Sequence, residues 1–269
     1  MICIAGKNQI AINAISYLIK SGYKKLCVIV NNSDLGYDTW QPSLKKFAIE
    51  NNIPILDLER VYSIENLTFI SLEFDKLINP LKFKSNNLFN FHFSCLPSYK
   101  GAYTSIWPIL NNEKFSGVSL HKIDHGIDTG NIIEIKKFEI DIDMTSRDLY
   151  LKYMSVGKEL FIKRIQSILK NNFKEFGQAI EKSSFYSRSS INFEDLKLNF
   201  KNTSLNIHNY IRAFTFKEYQ TLNFEDKIIN KSQLINERSK GKPGQIISIE
   251  QNYLDVSTID YNIRIFFEK

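Results

Sequence analysis

This chain of 269 residues predicts an α/β fold, a doubly wound, parallel-rich sheet followed by a small C-terminal unit of a helix and a β meander. Three observations carry that reading. Short apolar runs alternate with segments of helical spacing through the first 92 residues. The connections between those runs are long enough for crossovers, so the strands pair in parallel through right-handed connections. After residue 203 the pattern changes to one helix and several extended stretches separated by turn residues.

Residues 1–5 (MICIA) form an apolar run that suits a buried strand, and Gly6-Lys7-Asn8 follows as a turn. Over residues 9–20, Ala11, Ala14, Ile15 and Leu18 recur at helical spacing. LCVIV at 26–30 is a second buried strand that ends in the polar loop 31–34. Residues 42–51 suit a helix with Leu44, Phe47 and Ala48 inward, and 53–58 read as a strand. Residues 67–72 and 88–92 supply two more, and a further strand ends near His121 (117–121). After Gly130, NIIEIKKFEIDID reads as a hairpin-like extended stretch and 145–169 as one long amphipathic helix. Residues 183–203, rich in Ser, Asn and Lys, read as a linker between a catalytic domain (1–182) and a small unit (204–269). In that unit 204–214 is helical, and GQIISI, YLDVSTI and YNIRIFF form the meander.

A formal net charge of +6 without a dense Lys/Arg block suits an anionic small ligand as well as a solvated basic surface, and it predicts no nucleic-acid partner. The three cysteines, Cys3, Cys27 and Cys95, are widely spaced, which argues against a disulfide framework and for a reducing cytoplasm. No apolar stretch reaches 18 residues and no signal pattern opens the chain, so neither secretion nor a membrane span is expected. GKNQIA after the first strand lacks the GxGxxG spacing of dinucleotide sites and the Lys-Ser/Thr of a triphosphate loop.

The chemistry concentrates in residues 89–133. Three of the four histidines fall there: His92, His121 and His125. On a strand, Asn90 and His92 share one face. An amide can donate to a developing oxyanion while an imidazole moves a proton. Asp128 lies in Gly-Ile-Asp-Thr-Gly, where Gly126 and Gly130 permit a tight loop that brings a carboxylate back beside His92. His121, Asp124 and His125 have a spacing that invites a metal. His121 ends a predicted strand, however, so the logic of a helical metal motif does not apply and no metal is expected.

The order Asn90-x-His92, then Ser94-Cys-Leu-Pro-Ser-Tyr-Lys-Gly101, then Asp128-Thr-Gly130, with Trp107 between, resembles the catalytic core of the 10-formyltetrahydrofolate-dependent formyltransferases. The likeness extends more weakly over residues 1–180. Ile211-Arg212-Ala213-Phe214 also resembles the helix end that follows the linker in the tRNA and sugar members. The resemblance implies a metal-free acyl transfer within that family's fold, in which Asn90 donates to the oxyanion, His92 assists there and in proton transfer, and Asp128 orients His92. Whether His92 or Asp128 takes the amine proton stays open. For the folate cosubstrate it implies contacts from Leu77, Ile78, Leu96, Asp124, Gly126 and Ile127. For the acceptor it implies Lys7, Asn8, Ser94, Tyr99, Lys100, Gly101, Arg212, Phe216, Lys217 and Tyr219, with a ring among the last stacking a thymine. Lys100 stands where many members carry arginine, and Thr104 where proline is common in the tRNA enzymes.

About 65 residues follow the linker, too few for the complete C-terminal barrel of the methionyl-tRNA formyltransferases. The chain is more similar to the bacterial nucleotide-sugar N-formyltransferases. That likeness implies a dTDP-linked 3- or 4-amino-dideoxy sugar as acceptor, a role in surface polysaccharide, a cytoplasmic enzyme, and a homodimer built on the C-terminal β elements. A methionyl-tRNA formyltransferase variant and a non-catalytic folate or nucleotide-sugar binding protein are the alternatives.

Overall fold

The computed structural model describes residues 1–268. By contacts the chain divides into two compact units, one of residues 1–101, 117–137 and 152–185, the other of 102–116, 138–151 and 186–269. The linear division expected at residue 182 therefore runs across them, since two segments of the N-terminal half group with the C-terminal chain.

In chain order the first unit begins with β1 (Ile2–Gly6), α1 (Asn8–Lys20), β2 (Leu26–Val30), α2 (Leu44–Glu50), α3 (Leu58–Tyr62), β3 (Thr68–Leu72) and β4 (Asn87–His92). There follow β5 (Lys100–Gly101), α4 (Trp107–Leu110), β6 (Phe115–Lys122), β7 (Ile132–Glu139), the long α5 (Ser146–Leu169) and β8 (Phe185–Tyr186). The six-stranded sheet has the order β2-β1-β3-β4-β6-β7. Strands β2, β1, β3 and β4 run parallel, and β6 turns antiparallel against β4, setting Asn90 opposite His121. The α/β, parallel-rich expectation holds. Residues 53–58 differ from it. They contribute one bridge, Val28 to Ile55, because Asp57 accepts from the Arg60 amide and starts α3 instead. The stretch after Gly130 is one strand rather than a hairpin.

The central strands are apolar on both faces, as strands covered on both sides must be. Below them Cys3, Ala5, Cys27, Ile29, Val61 and Leu67 pack with Phe69 and Phe83. The Phe69 ring meets Phe83 edge-on at 5.2 Å. The part of α5 in this unit stacks Tyr153 on Phe93, with centroids 5.2 Å apart, and sets Phe161 beside Phe91 at 5.8 Å. At Gly157 a Cβ would come within 2.7 Å of the end of the Ile10 side chain, so the helix packs closely there.

The second unit adds α6 (Ser204–Ala213), β9 (Asn223–Phe224), β10 (Lys227–Arg238), β11 (Ile246–Ile249), β12 (Tyr253–Val256) and β13 (Tyr261–Phe267), the strands ordered β11-β12-β13-β10-β9. Thr203 caps α6 by accepting from the Asn206 amide. Asp255 and Arg264 face each other across β12 and β13 in a two-bond pair at 2.7 and 2.8 Å. Strand β10, twelve residues long, was not foreseen; only Ile229 and Ser232 of it are buried, so it lacks the alternation that marks a strand.

Phe69 is fully buried among rings and aliphatic side chains. Replacing it with alanine is expected to cost about 3–5 kcal/mol, the usual loss for a core phenylalanine. The midpoint of denaturant unfolding measures it, and a shift worth under about 1 kcal/mol would contradict this packing.

Candidate active site

Three pieces of backbone build the site in the first unit. Strand β4 brings Asn90 and His92 to the carboxyl edge of the sheet, β6 brings His121 opposite Asn90, and the turn 126–130 returns Asp128. That turn is tied by Asp124, whose carboxylate accepts from the Gly126 amide and the Thr129 hydroxyl. Asp128 sits at φ 55°, a left-handed conformation that Asp tolerates better than most residues. At Gly130 a Cβ would lie 1.9 Å from the Lys122 carbonyl oxygen, so only glycine lets the turn close onto β6. Gln178 fastens it from outside, donating to the carbonyls of Asp128 and Gly130 at 2.8 Å each.

The Asp128 carboxylate collects the cluster. Asn90 donates to Oδ1 at 3.1 Å and the Gly101 amide to Oδ2 at 2.9 Å. The His92 Nδ1 lies 3.4 Å from Oδ2 and the His121 Nε2 3.5 Å from Oδ1. Burial alone would raise the Asp128 carboxyl. With the two rings protonated, the charge of His92, the hydrogen bond and charge of His121, and the Gly101 amide outweigh it and hold the group well below the usual carboxylate range.

Backbone carbonyls assign the ring protons, because a carbonyl only accepts. His92 Nε2 faces the Tyr99 carbonyl at 2.8 Å and therefore carries a proton. Its Nδ1, toward Asp128, is the nitrogen that can gain or lose one. His121 Nδ1 likewise donates to the Lys122 carbonyl at 2.7 Å, which leaves Nε2 to accept from Asn90 at 3.1 Å. The Asn90 amide is thus oriented: its N–H groups face an imidazole lone pair and a carboxylate, and its oxygen turns away from both.

The loop 93–101 is held internally. Ser94 is fully buried and donates to the Ser98 carbonyl, while Ser119 donates to the Ser94 carbonyl and accepts from the Leu96 amide. The Tyr99 amide donates to the Ser184 hydroxyl, and the Lys100 amide to the Ser184 carbonyl. His92 thereby receives its acceptor from a fixed loop.

The sequence matches the formyl transferase family over residues 71–165 and that family's C-terminal domain over 190–266. WlaRD, a sugar 3N-formyl transferase crystallised in the presence of dTDP and 5-N-formyl-THF, is 49% identical. The match covers 99% of this chain and 97% of that one, with a TM-score of 0.93. The chain belongs to the formyltransferases. The N-formyltransferase of Helicobacter canadensis, in complex with folinic acid and dTDP-3-aminofucose, is 48% identical over 100% of this chain and 99% of its own, TM-score 0.94. The methionyl-tRNA formyltransferase of Clostridioides difficile is 26% identical over 96% of this chain and 88% of its own.

In this formyltransferase Asn90, His92 and Asp128 come together as the sequence suggests, with Gly101 and Tyr99 contributing backbone groups. Of the residues expected at the folate, Leu77 and Ile127 are exposed, Ile78 packs against the core and Leu96 is buried. Asp124 and Gly126 belong to the turn that carries Asp128. Of those expected at the acceptor, Ser94 is instead taken up inside its loop, and Lys100 is buried. Lys7 and Asn8 follow β1 directly. In the second unit Arg212 is buried and spends its donors on Asn209 and the carbonyls of Asp141 and Met144; burial pulls its pKa down to about 10. Phe216 is buried against Tyr150 and Tyr219, whereas Lys217 and Tyr219 are exposed. His125 is exposed, and among the described residues no His/Cys/Asp/Glu group could hold a metal ion. Sequence reasoning missed Gln178 and the Tyr99 carbonyl, and gave His121 only a supporting part.

Because the Asp128 carboxyl is depressed in the folded protein, its contribution to stability is present above the unfolded value of about 3.9 and lost as pH falls through the folded one. The acid limb of the stability curve, followed by denaturant melts below about pH 4, is expected to flatten in Asp128→Asn. An unchanged slope would contradict the network.

Proposed function

We propose that this formyltransferase moves the formyl group of 10-formyltetrahydrofolate onto the amino group of a dTDP-linked amino-dideoxy sugar, the 3-amino isomer in preference to the 4-amino. The observation that carries the reading is near-identical length and 48–49% identity to two enzymes whose structures carry dTDP ligands and formylated folates. The methionyl-tRNA enzymes match at 26%.

The folate supplies an activated formyl carbon; the rest is asked of the chain. His92 Nδ1 takes the proton released as the amine attacks, since Nε2 is already committed to the Tyr99 carbonyl, and returns it to the folate nitrogen as the tetrahedral intermediate collapses and the bond from that nitrogen to the formyl carbon breaks. Asp128, already accepting from Asn90 and the Gly101 amide, orients the ring and stabilises the imidazolium that forms. Asn90 donates to the developing oxyanion by exchanging its bond to the His121 lone pair for one to a charged acceptor, the stronger partner. Leu77 and Ile127, apolar and exposed, offer surface for the folate rings to cover.

The same reading makes the enzyme cytoplasmic, with its product used in surface polysaccharide, and homodimeric through the C-terminal strands. Supporting the last, β9 covers only Lys227 and Ile228 of β10, and an open strand edge is a template for pairing with another chain. No helix among the described residues is long and apolar enough to cross a membrane.

Incubation with 10-formyltetrahydrofolate and a panel of dTDP-, UDP- and GDP-amino sugars should add one formyl group, by mass, to a dTDP-3-amino sugar. Formylation of methionyl-tRNA with no sugar product would overturn the assignment. Asn90→Ala and His92→Ala should each lower kcat by about 10²–10⁴-fold while nucleotide-sugar binding persists; retained turnover in both would remove the site from the chemistry.

A further inference from the structure

The chain that leaves α5 is bonded to two separate parts of the site. At Phe176 it exchanges two backbone hydrogen bonds with Ile132, both 2.9 Å, which docks it on the start of β7. Two residues on, Gln178 donates through Nε2 to the carbonyls of Asp128 and Gly130 at 2.8 Å each. The same segment then reaches the loop 97–101. The Lys182 carbonyl accepts from the Ser98 hydroxyl at 3.2 Å, and the Ser184 amide donates to the Pro97 carbonyl at 3.3 Å. The Ser184 hydroxyl and carbonyl accept from the amides of Tyr99 and Lys100 at 2.8 and 2.9 Å. Residues 176–184 therefore form one strap, bonded at one end to the turn that carries Asp128 and at the other to the loop that carries Tyr99.

Those two attachments govern the two members of the His–Asp pair. The loop presents the Tyr99 carbonyl to His92 Nε2 at 2.8 Å and the Gly101 amide to Asp128 Oδ2 at 2.9 Å. The turn presents Asp128 itself. Tyr99 at φ 60° and Asp128 at φ 55° are both left-handed. Such residues are unfavourable on their own and persist where the surroundings over-determine them. Gln178 is itself held at a cost, since its Oε1 is buried without a hydrogen-bond partner. With that acceptor unused, what the side chain contributes is its donors, which brace the carbonyls on either side of Thr129.

We propose that Gln178 and Ser184 are positioning residues for formyl transfer, which hold the turn of Asp128 and the loop of Tyr99 in register so that His92 Nδ1 stays 3.4 Å from Asp128 Oδ2. This rests on the catalytic reading of His92 and Asp128 above. Gln178 acts through the backbone of Asp128, and Ser184 through the backbone of Tyr99. Their effect is on the geometry of the ring and the carboxylate. Displacing a catalytic group by roughly 1 Å costs about 10²-fold in rate. Loss of either anchor therefore falls on kcat.

The test is steady-state kinetics of the full chain. Gln178→Met keeps the length of the side chain and removes its donors. Ser184→Ala removes the acceptor of the Tyr99 amide, and Ser184→Thr keeps it. Gln178→Met and Ser184→Ala should each lower kcat by about 10–100-fold, with KM for the nucleotide sugar changed less than about threefold. Ser184→Thr should retain most of the wild-type kcat. Because both anchors serve one His–Asp pair, the double variant should lose little more than the more impaired single variant, as groups that act as a unit do. Losses that track only the folded fraction in thermal melts, losses that multiply in the double variant, equal losses in Ser184→Ala and Ser184→Thr, or an undiminished kcat in Gln178→Met would overturn the proposal. Should Gln178→Met fail to fold, Gln178→Asn, too short to reach both carbonyls, takes its place with the same expected loss. Should turnover survive Asn90→Ala and His92→Ala, the catalytic reading fails, and NMR still judges the strap. The Nε2 proton of His92, held on the Tyr99 carbonyl, should exchange with solvent faster in Ser184→Ala than in wild type, and equal exchange would overturn the proposal.

Discussion

The buried carboxylate of Asp128 is the point on which the site depends. An ionised carboxylate taken out of water is tolerated only where donors surround it. Two donors come from separate parts of the first unit, Asn90 from β4 and the Gly101 amide from the loop beyond Tyr99, and the rings of His92 and His121 lie 3.4 and 3.5 Å from the carboxylate, ready to stabilise it when protonated. The carboxylate in turn is placed by a turn that closes because residue 130 has no side chain. Charge, register and turn geometry are therefore one constraint.

The sheet explains how such a site arises without a helix-borne motif. Parallel pairing through β4 delivers the ends of β1, β3 and β4 to one edge. A single antiparallel strand then reverses direction, so that a histidine near the end of β6 meets an asparagine on β4. A wholly parallel sheet would have placed the β6 end elsewhere relative to Asn90. The change from parallel to antiparallel at β4 is thus functional geometry.

Much of this was legible in the residues. Apolar runs located β1 to β4 within a residue or two, since strands buried on both faces have continuous hydrophobicity. Asn90 and His92 were legible as a same-face pair, and Gly126 and Gly130 as the turn carrying Asp128. What failed has definite causes. Strand β10 buries only Ile229 and Ser232, so pattern gave no signal. The bonds of Gln178 to the 128–130 turn span about fifty residues, and the Tyr99 contact uses a backbone carbonyl that every residue possesses. Arg212 looked available to an anion from its place in a motif, but burial turns it toward three protein acceptors. Hydrophobic period reports faces; it does not report which polar groups a fold spends on itself.

That spending decides how protons move in the proposed reaction. With Nε2 of His92 fixed on Tyr99 and Nδ1 of His121 fixed on Lys122, each ring keeps one nitrogen, and both remaining nitrogens point at the Asp128 side of the cluster. His121 gives its lone pair to Asn90, which keeps the amide N–H groups turned inward until a better acceptor forms. His92 is left as the ring whose open nitrogen can receive a proton beside a carboxylate that then faces the imidazolium. An oxyanion and an imidazolium then form together at groups already oriented for both, so little reorganisation accompanies the charge separation.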